Sequence, residues 1–195
     1  TSLKDPRPTI NDLFYEFFNS IDMFSIINKD KLIDYLLLAA NLNDVKSQCK
    51  LGCIYDSGQY IARNIDKAIH FFTLSANKNN AISLHNLGVI YLKGEDIPKN
   101  IQKAIHYFSL ASDQNFTSSQ LQLAAIYLEN DDVQHDINKG IHYLSLAADY
   151  GNKEAQFILG NFYYKNKYVQ FDINKAIHYF SLAADQNHMI AQFDL

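Results

Sequence analysis

Cysteine is scarce in this sequence: Cys49 and Cys53 are the only two in 195 residues. A small secreted scaffold stapled by disulfides needs more, spread over the fold, so a reducing compartment is expected and the cytoplasm is favoured. The first residues, Thr1 to Pro8, lack the apolar stretch and small-residue cleavage site of a secretory signal. Long apolar runs are missing too. Ile33 to Ala40, with Asp34 inside it, falls far short of the roughly 20 residues that span a bilayer, which argues against direct membrane insertion. Positive charge is not in surplus, since 17 Lys and Arg stand against 21 Asp and Glu with no basic cluster. Phosphate binding needs the reverse, so no nucleic-acid partner is expected. Charged residues make up 19% and apolar residues 48%, a balance that supplies a core and excludes a disordered chain. No Gly-rich nucleotide loop, His-Glu-x-x-His or nucleophile elbow occurs. No cofactor, no catalytic residue and no small-molecule ligand is therefore expected.

What the chain does have is a 36-residue period. Lys67-Ala68-Ile69-His70-Phe71-Phe72 returns as Lys103-Ala104-Ile105-His106-Tyr107-Phe108, as Lys139-Gly140-Ile141-His142-Tyr143-Leu144 and as Lys175-Ala176-Ile177-His178-Tyr179-Phe180. Lys31-Leu32-Ile33-Asp34-Tyr35-Leu36 is a worn earlier copy. In the same frame, Leu51-Gly52-Cys53-Ile54-Tyr55 returns at Leu87, Leu123 and Leu159. Each unit therefore holds two amphipathic segments, a helix A with Leu-Gly-x-x-Tyr and a helix B with Ala-Ile-His-Tyr-Phe.

Spacing makes these helices. Ala68, Phe71, Phe72, Ser75 and Ala76 fall at i, i+3, i+4, i+7 and i+8, one face of a 3.6-residue turn. Asn28, Asn64, Asn100, Asp136 and Asp172 precede helix B as N-caps, and Asn43, Asn79, Asn115, Gly151 and Asn187 follow it where a left-handed residue ends a helix. Gly58, Gly94, Asn130 and Asn166 end helix A in the same way. The small Gly and Ala columns are expected to let the two helices approach closely, and no pair covers its own apolar face without the next. Units are placed at about 45–80, 81–116, 117–152 and 153–188, with half-units at both ends of a repeat domain over 28–195. Residues 1–27 read as a tail and an aromatic cap helix around Thr9 to Phe18. Met189 to Leu195 begins a further helix A.

The Leu-Gly-x-x-Tyr segment, a loop closed by Asp or Asn, and Lys-Ala-Ile-x-Tyr-Phe together resemble the Sel-one-like repeat, a relative of the tetratricopeptide repeat. The resemblance covers about residues 28 to 195 and implies an all-α, right-handed superhelix of antiparallel helix pairs. It also implies a scaffold that gathers other proteins, as Sel-one-like adaptors do in membrane-protein quality control, activation of cell-wall synthases and bacterial contacts with host cells. One cysteine-rich bacterial branch of the family is linked to penicillin binding. This chain lacks the paired cysteines of each unit there, so that activity is not carried over.

Comparison of the internal copies then points to a site. On helix A the columns of Ser47, Leu51, Ile54 and Tyr55 barely change, whereas three others vary: Cys49, His85, Leu121, Phe157; Cys53, Val89, Ala125, Asn161; and Asp56, Leu92, Leu128, Tyr164. In tetratricopeptide folds the corresponding stripe lines the concave wall. This stripe is predicted to be a groove, with Leu92, Leu121, Leu128, Phe157 and Tyr164 forming an exposed apolar strip for a peptide or amphipathic helix of another protein. A structural spacer or self-assembling array is the alternative.

Two tempting clusters read as ordinary. His70, His106, His142 and His178 fall opposite the apolar stripe of helix B, too far apart to share a metal. Cys49 and Cys53, one turn apart, fit neither a zinc site nor a disulfide, so no metal is expected.

Overall fold

The computed structural model describes residues 29–129, 133–165 and 170–186. Asn28, Asn130, Asn166, Asn187, the N-terminal cap helix and the segment from Met189 lie outside the described residues. Among the described residues there are nine α-helices and no strand. They are α1 Lys29–Asn41, α2 Val45–Ser57, α3 Ile65–Ala76, α4 Ala81–Lys93, α5 Ile101–Ser112, α6 Thr117–Glu129, α7 Ile137–Asp149, α8 Lys153–Lys165 and α9 Ile173–Asp185. This is an all-α helical-repeat fold. Helix A appears as α2, α4, α6 and α8, and helix B as α1, α3, α5, α7 and α9.

The ends of the helices follow from short polar side chains. Ahead of helix B, the side chains of Asn64, Asn100, Asp136 and Asp172 accept from the backbone N–H of Lys67, Lys103, Lys139 and Lys175 at 2.9 to 3.0 Å. The Lys139 amide holds the Asp136 carboxyl below its ordinary pKa. Behind helix B, Asn43, Asn79, Asn115 and Gly151 take φ of 67, 58, 61 and 78°, and Gly58 and Gly94 after helix A take 65°. Three further caps start helix A, a feature the sequence reading had not picked out: Asp44, Asn80 and Asn152 accept from Ser47, Ser83 and Ala155 at 2.7, 2.9 and 2.9 Å. Asn100→Ala is expected to remove about 1 kcal/mol, read as a lower denaturant midpoint with unchanged slope.

The chain divides into two compact units, Thr1–Ser75 and Ala76–Leu195. In the first, Gly52 of α2 lies flat on the ring of Phe72, so closely that a Cβ there would stand 2.5 Å from a ring carbon. The Ser75 hydroxyl donates to the Val45 carbonyl at 3.0 Å, which explains the small polar residue in an otherwise alanine column. In the second unit the same contact recurs between Gly88 and Phe108 and between Gly160 and Phe180, each with 2.6 Å to the hypothetical Cβ. The intervening copy keeps the space filled differently, with Ala124 and Leu144 in one core cluster. Each buried phenylalanine contributes roughly 2 to 3 kcal/mol of apolar burial.

A second contact ties helix A to helix B beside each loop. The rings of Tyr55 and Phe71, Tyr91 and Tyr107, Tyr127 and Tyr143, and Tyr163 and Tyr179 lie within 11° of parallel at 5.7 to 6.0 Å, an offset stack. Lys67, Lys103, Lys139 and Lys175 each place Nζ 4.8 to 5.0 Å over the helix A ring. The carbonyl of the same tyrosine accepts from the N–H of Asn64, Asn100, Asp136 or Asp172 at 2.9 to 3.0 Å.

Candidate functional site

Only part of a helix A surface remains open once these contacts are made. On the three A helices of the second unit, Ile82, Ser118 and Glu154 are exposed, and so are Lys93, Glu129 and Lys165. Between them Ala125 is exposed, and Val89, Asn161, Asn86, Gln122 and Ile158 are half-buried. These positions fall at i, i+4, i+7 and i+11, one stripe along each helix. In the first unit α2 carries Lys46, Lys50, Cys53 and Ser57 at the same places.

The predicted groove overlaps this stripe in one column only, that of Cys53, Val89, Ala125 and Asn161. The column of Cys49, His85, Leu121 and Phe157 lies deeper. Cys49 is buried, and the other three are half-buried. His85 shares a 2.9 Å hydrogen bond between its Nδ1 and the Ser119 hydroxyl of α6. Leu121 packs against the cluster that includes Ala155 and Leu159 of α8, and the Phe157 ring meets that of Phe180 at 5.7 Å. His85 and Leu121 thus face the next repeat, and Phe157 faces helix B of its own. In the third column Leu92 and Leu128 pack against the helix B clusters, Asp56 lies 3.5 Å from the Arg63 guanidinium, and Tyr164 is 44% exposed. The expected exposed strip of Leu92, Leu121, Leu128, Phe157 and Tyr164 is therefore corrected: Tyr164 alone among them is exposed. Helix A touches both its own helix B and the next repeat, and this widens its buried arc by one column.

The open stripe is mostly polar and of mixed charge, with Ile82, Val89, Ala125 and Ile158 as its apolar members. Lys93 and Lys165 carry positive charge, Glu129 and Glu154 negative charge, and Asn86, Gln122 and Asn161 supply amides. Its sequence signal was present as the columns of Lys46, Lys50 and Ser57, which vary as freely as those chosen.

In the first unit an open cleft of about 310 Å³ lies on α1 and α2, floored by Leu32, Leu36 and Ile54, with Lys50 and Cys53 at its edge. Burial pushes the Lys50 ammonium pKa down, opposed by Asp44. The Cys53 thiol pKa is raised, first by its hydrogen bond with Cys49 and then by burial, so Cys53 is a poor nucleophile. His70, His106, His142 and His178 are exposed, each with its ring 5.1 to 5.5 Å from that of the following aromatic residue. Among the described residues, no three His, Cys, Asp or Glu side chains gather as a metal site. No described helix is long and apolar enough to cross a membrane.

Comparison with known proteins adds the family. The Sel1 repeat matches residues 45–80, 81–116, 117–152 and 153–188. Among solved structures, a Sel1 repeat protein of Oxalobacter formigenes is 24% identical with a TM-score of 0.82, over 97% of this chain and 77% of that one. A protective antigen of uropathogenic Escherichia coli with an SLR fold is also 24% identical, with a TM-score of 0.76. The match covers 82% of this chain and 34% of the antigen, so this chain spans about a third of its length. An immunity protein of Pseudomonas aeruginosa shares 18% identity and a TM-score of 0.58, over 98% and 70% of the two chains. At these identities the likeness is one of fold. No curated protein matches the sequence.

Proposed function

Because the chain belongs to the Sel1 repeat family, whose repeats generally mediate protein–protein interactions, we propose that it is a non-catalytic scaffold holding a segment of another protein on the open stripe of α4, α6 and α8. One observation carries this reading. The buried columns of helix A repeat from copy to copy, as in Leu87, Leu123 and Leu159, whereas three of the four columns of the open stripe differ in every copy, the last alone repeating a lysine at Lys93 and Lys165. A surface that reads a non-repeating partner needs that non-repeating face on a repeating frame. Amides and alternating charges in place of an apolar strip favour an extended peptide, whose backbone groups they can satisfy, over an apolar helix face.

The middle of the stripe is Ala125, where a small side chain leaves room between Val89 and Asn161. Ala125→Arg combined with Asn161→Arg is expected to weaken partner capture at least tenfold, with helicity by circular dichroism unchanged. His142→Glu, on the exposed face of helix B, serves as control and is expected to capture as the parent does. Equal capture by all three chains from the native source would remove the stripe from consideration.

A further inference from the structure

We propose that His85 makes the contact between α4 and α6 an acid-sensitive joint, tight when its ring is neutral and loosened when the ring takes a second proton. Its Nδ1 lies 2.9 Å from the hydroxyl of Ser119, a fully buried residue one repeat on. The ring also stands against two others, with centroids 5.4 Å from Phe108 of α5 and 5.2 Å from Phe116 in the turn before α6. Those three groups face it from the neighbouring elements, and none is charged. On α4 itself the residues one turn away are Ala81, Ile82, Gly88 and Val89, none of which titrates. An imidazolium formed there would meet no carboxylate among these groups, and the two phenyl rings, with centroids at 5.4 and 5.2 Å, offer only a cation–π contact in place of the water lost.

The equivalent joint between α6 and α8 places Leu121 opposite Ala155, so the polar link is absent there. Burial alone shifts the His85 pKa, and it shifts it down. The unfolded chain then takes up a proton near the ordinary histidine value that the folded chain declines. Stability from this site is complete above roughly pH 6.5 and falls as the pH drops from there toward the lowered folded value. The other shifted groups in the described residues are Lys50, Cys53, Tyr107, Asp136 and Tyr179, none of them a histidine.

The test compares the 195-residue chain with a His85→Leu and Ser119→Ala double variant, which copies the leucine and alanine of the next junction and so preserves packing. Urea unfolding is followed at pH 8 and pH 5.5. The unfolded-to-folded ratio of the parent is expected to rise up to about tenfold more than that of the variant across this interval. Amide exchange in α4 and α6, corrected for intrinsic rate, is expected to quicken in the parent only. An NMR titration of the His85 ring in the unaltered chain stands even if the variant does not fold. A ring that titrates at or above the ordinary histidine value, or identical pH dependence in both chains, overturns the proposal. Neither outcome bears on the binding stripe, which contains no histidine.

Discussion

Phe108→Ala is expected to remove about 3 to 5 kcal/mol from the second unit, the range for truncating a fully buried aromatic ring. The ring fills the gap left by Gly88. Gly88→Ala is expected to fail in the opposite sense. Its new methyl would stand 2.6 Å from the ring, an overpacking cost of about 1 to 3 kcal/mol, offset by about 1 kcal/mol of helix propensity. The chain already contains the compensated pair, Ala124 with Leu144. Gly88→Ala together with Phe108→Leu should therefore be more stable than the sum of its two single changes by about 1 kcal/mol or more, a coupling a double-mutant cycle reads directly. Strict additivity of the two would show that these side chains do not set the approach of α4 to α5.

Gly94→Val is expected to cost about 2 to 3 kcal/mol, from a backbone position that a β-branched residue resists. Two effects combine. The φ of 65° is unfavourable for any L side chain, and the space is closed, since the atoms nearest a Cβ at 2.6 to 2.7 Å include the backbone of Lys99. Gly151 separates the two effects. It has φ of 78° but nothing within 4 Å of a Cβ, and three equivalent turns are made by asparagine. Gly151→Asn is accordingly expected to leave the unfolding free energy from denaturant titration within about 0.5 kcal/mol of the parent. A Gly94→Val chain as stable as Gly151→Asn would mean that the loop moves aside freely.

The fold was legible because its determinants are local and repeated. The period, the caps of helix B and the left-handed turns are written in single residues whose preference depends on neighbours a few positions away. The caps of helix A were as legible, in Asp44, Asn80 and Asn152, but sit inside turns that the helix B signal already explained. Buried glutamines were missed for a different reason. Gln48, Gln120 and Gln156 donate to the carbonyls of Ala40, Ser112 and Ala148, each eight residues back, and a polar residue in a core column is recognised only once the facing helix end is known.

The surface is less legible, because variability among copies does not by itself mean exposure. Leu121 and Phe157 vary with their copy and are still half-buried, Leu121 against the following repeat and Phe157 against Phe180 of its own. Copy-to-copy change therefore marks both contact with a changing neighbour and contact with solvent. Only the geometry separates the two.

Both ends of the loop joining α4 to α5 are fixed. The Asn100 amide reaches the Tyr91 carbonyl at 2.9 Å, and the two tyrosine rings lie stacked alongside. Between these clamps Gly94 is held against Lys99, while Glu95, Asp96 and Pro98 are exposed. A foreign sequence spliced in after Asp96 would be presented between two fixed ends, at an entropic cost to the frame that grows only slowly with the cargo's length.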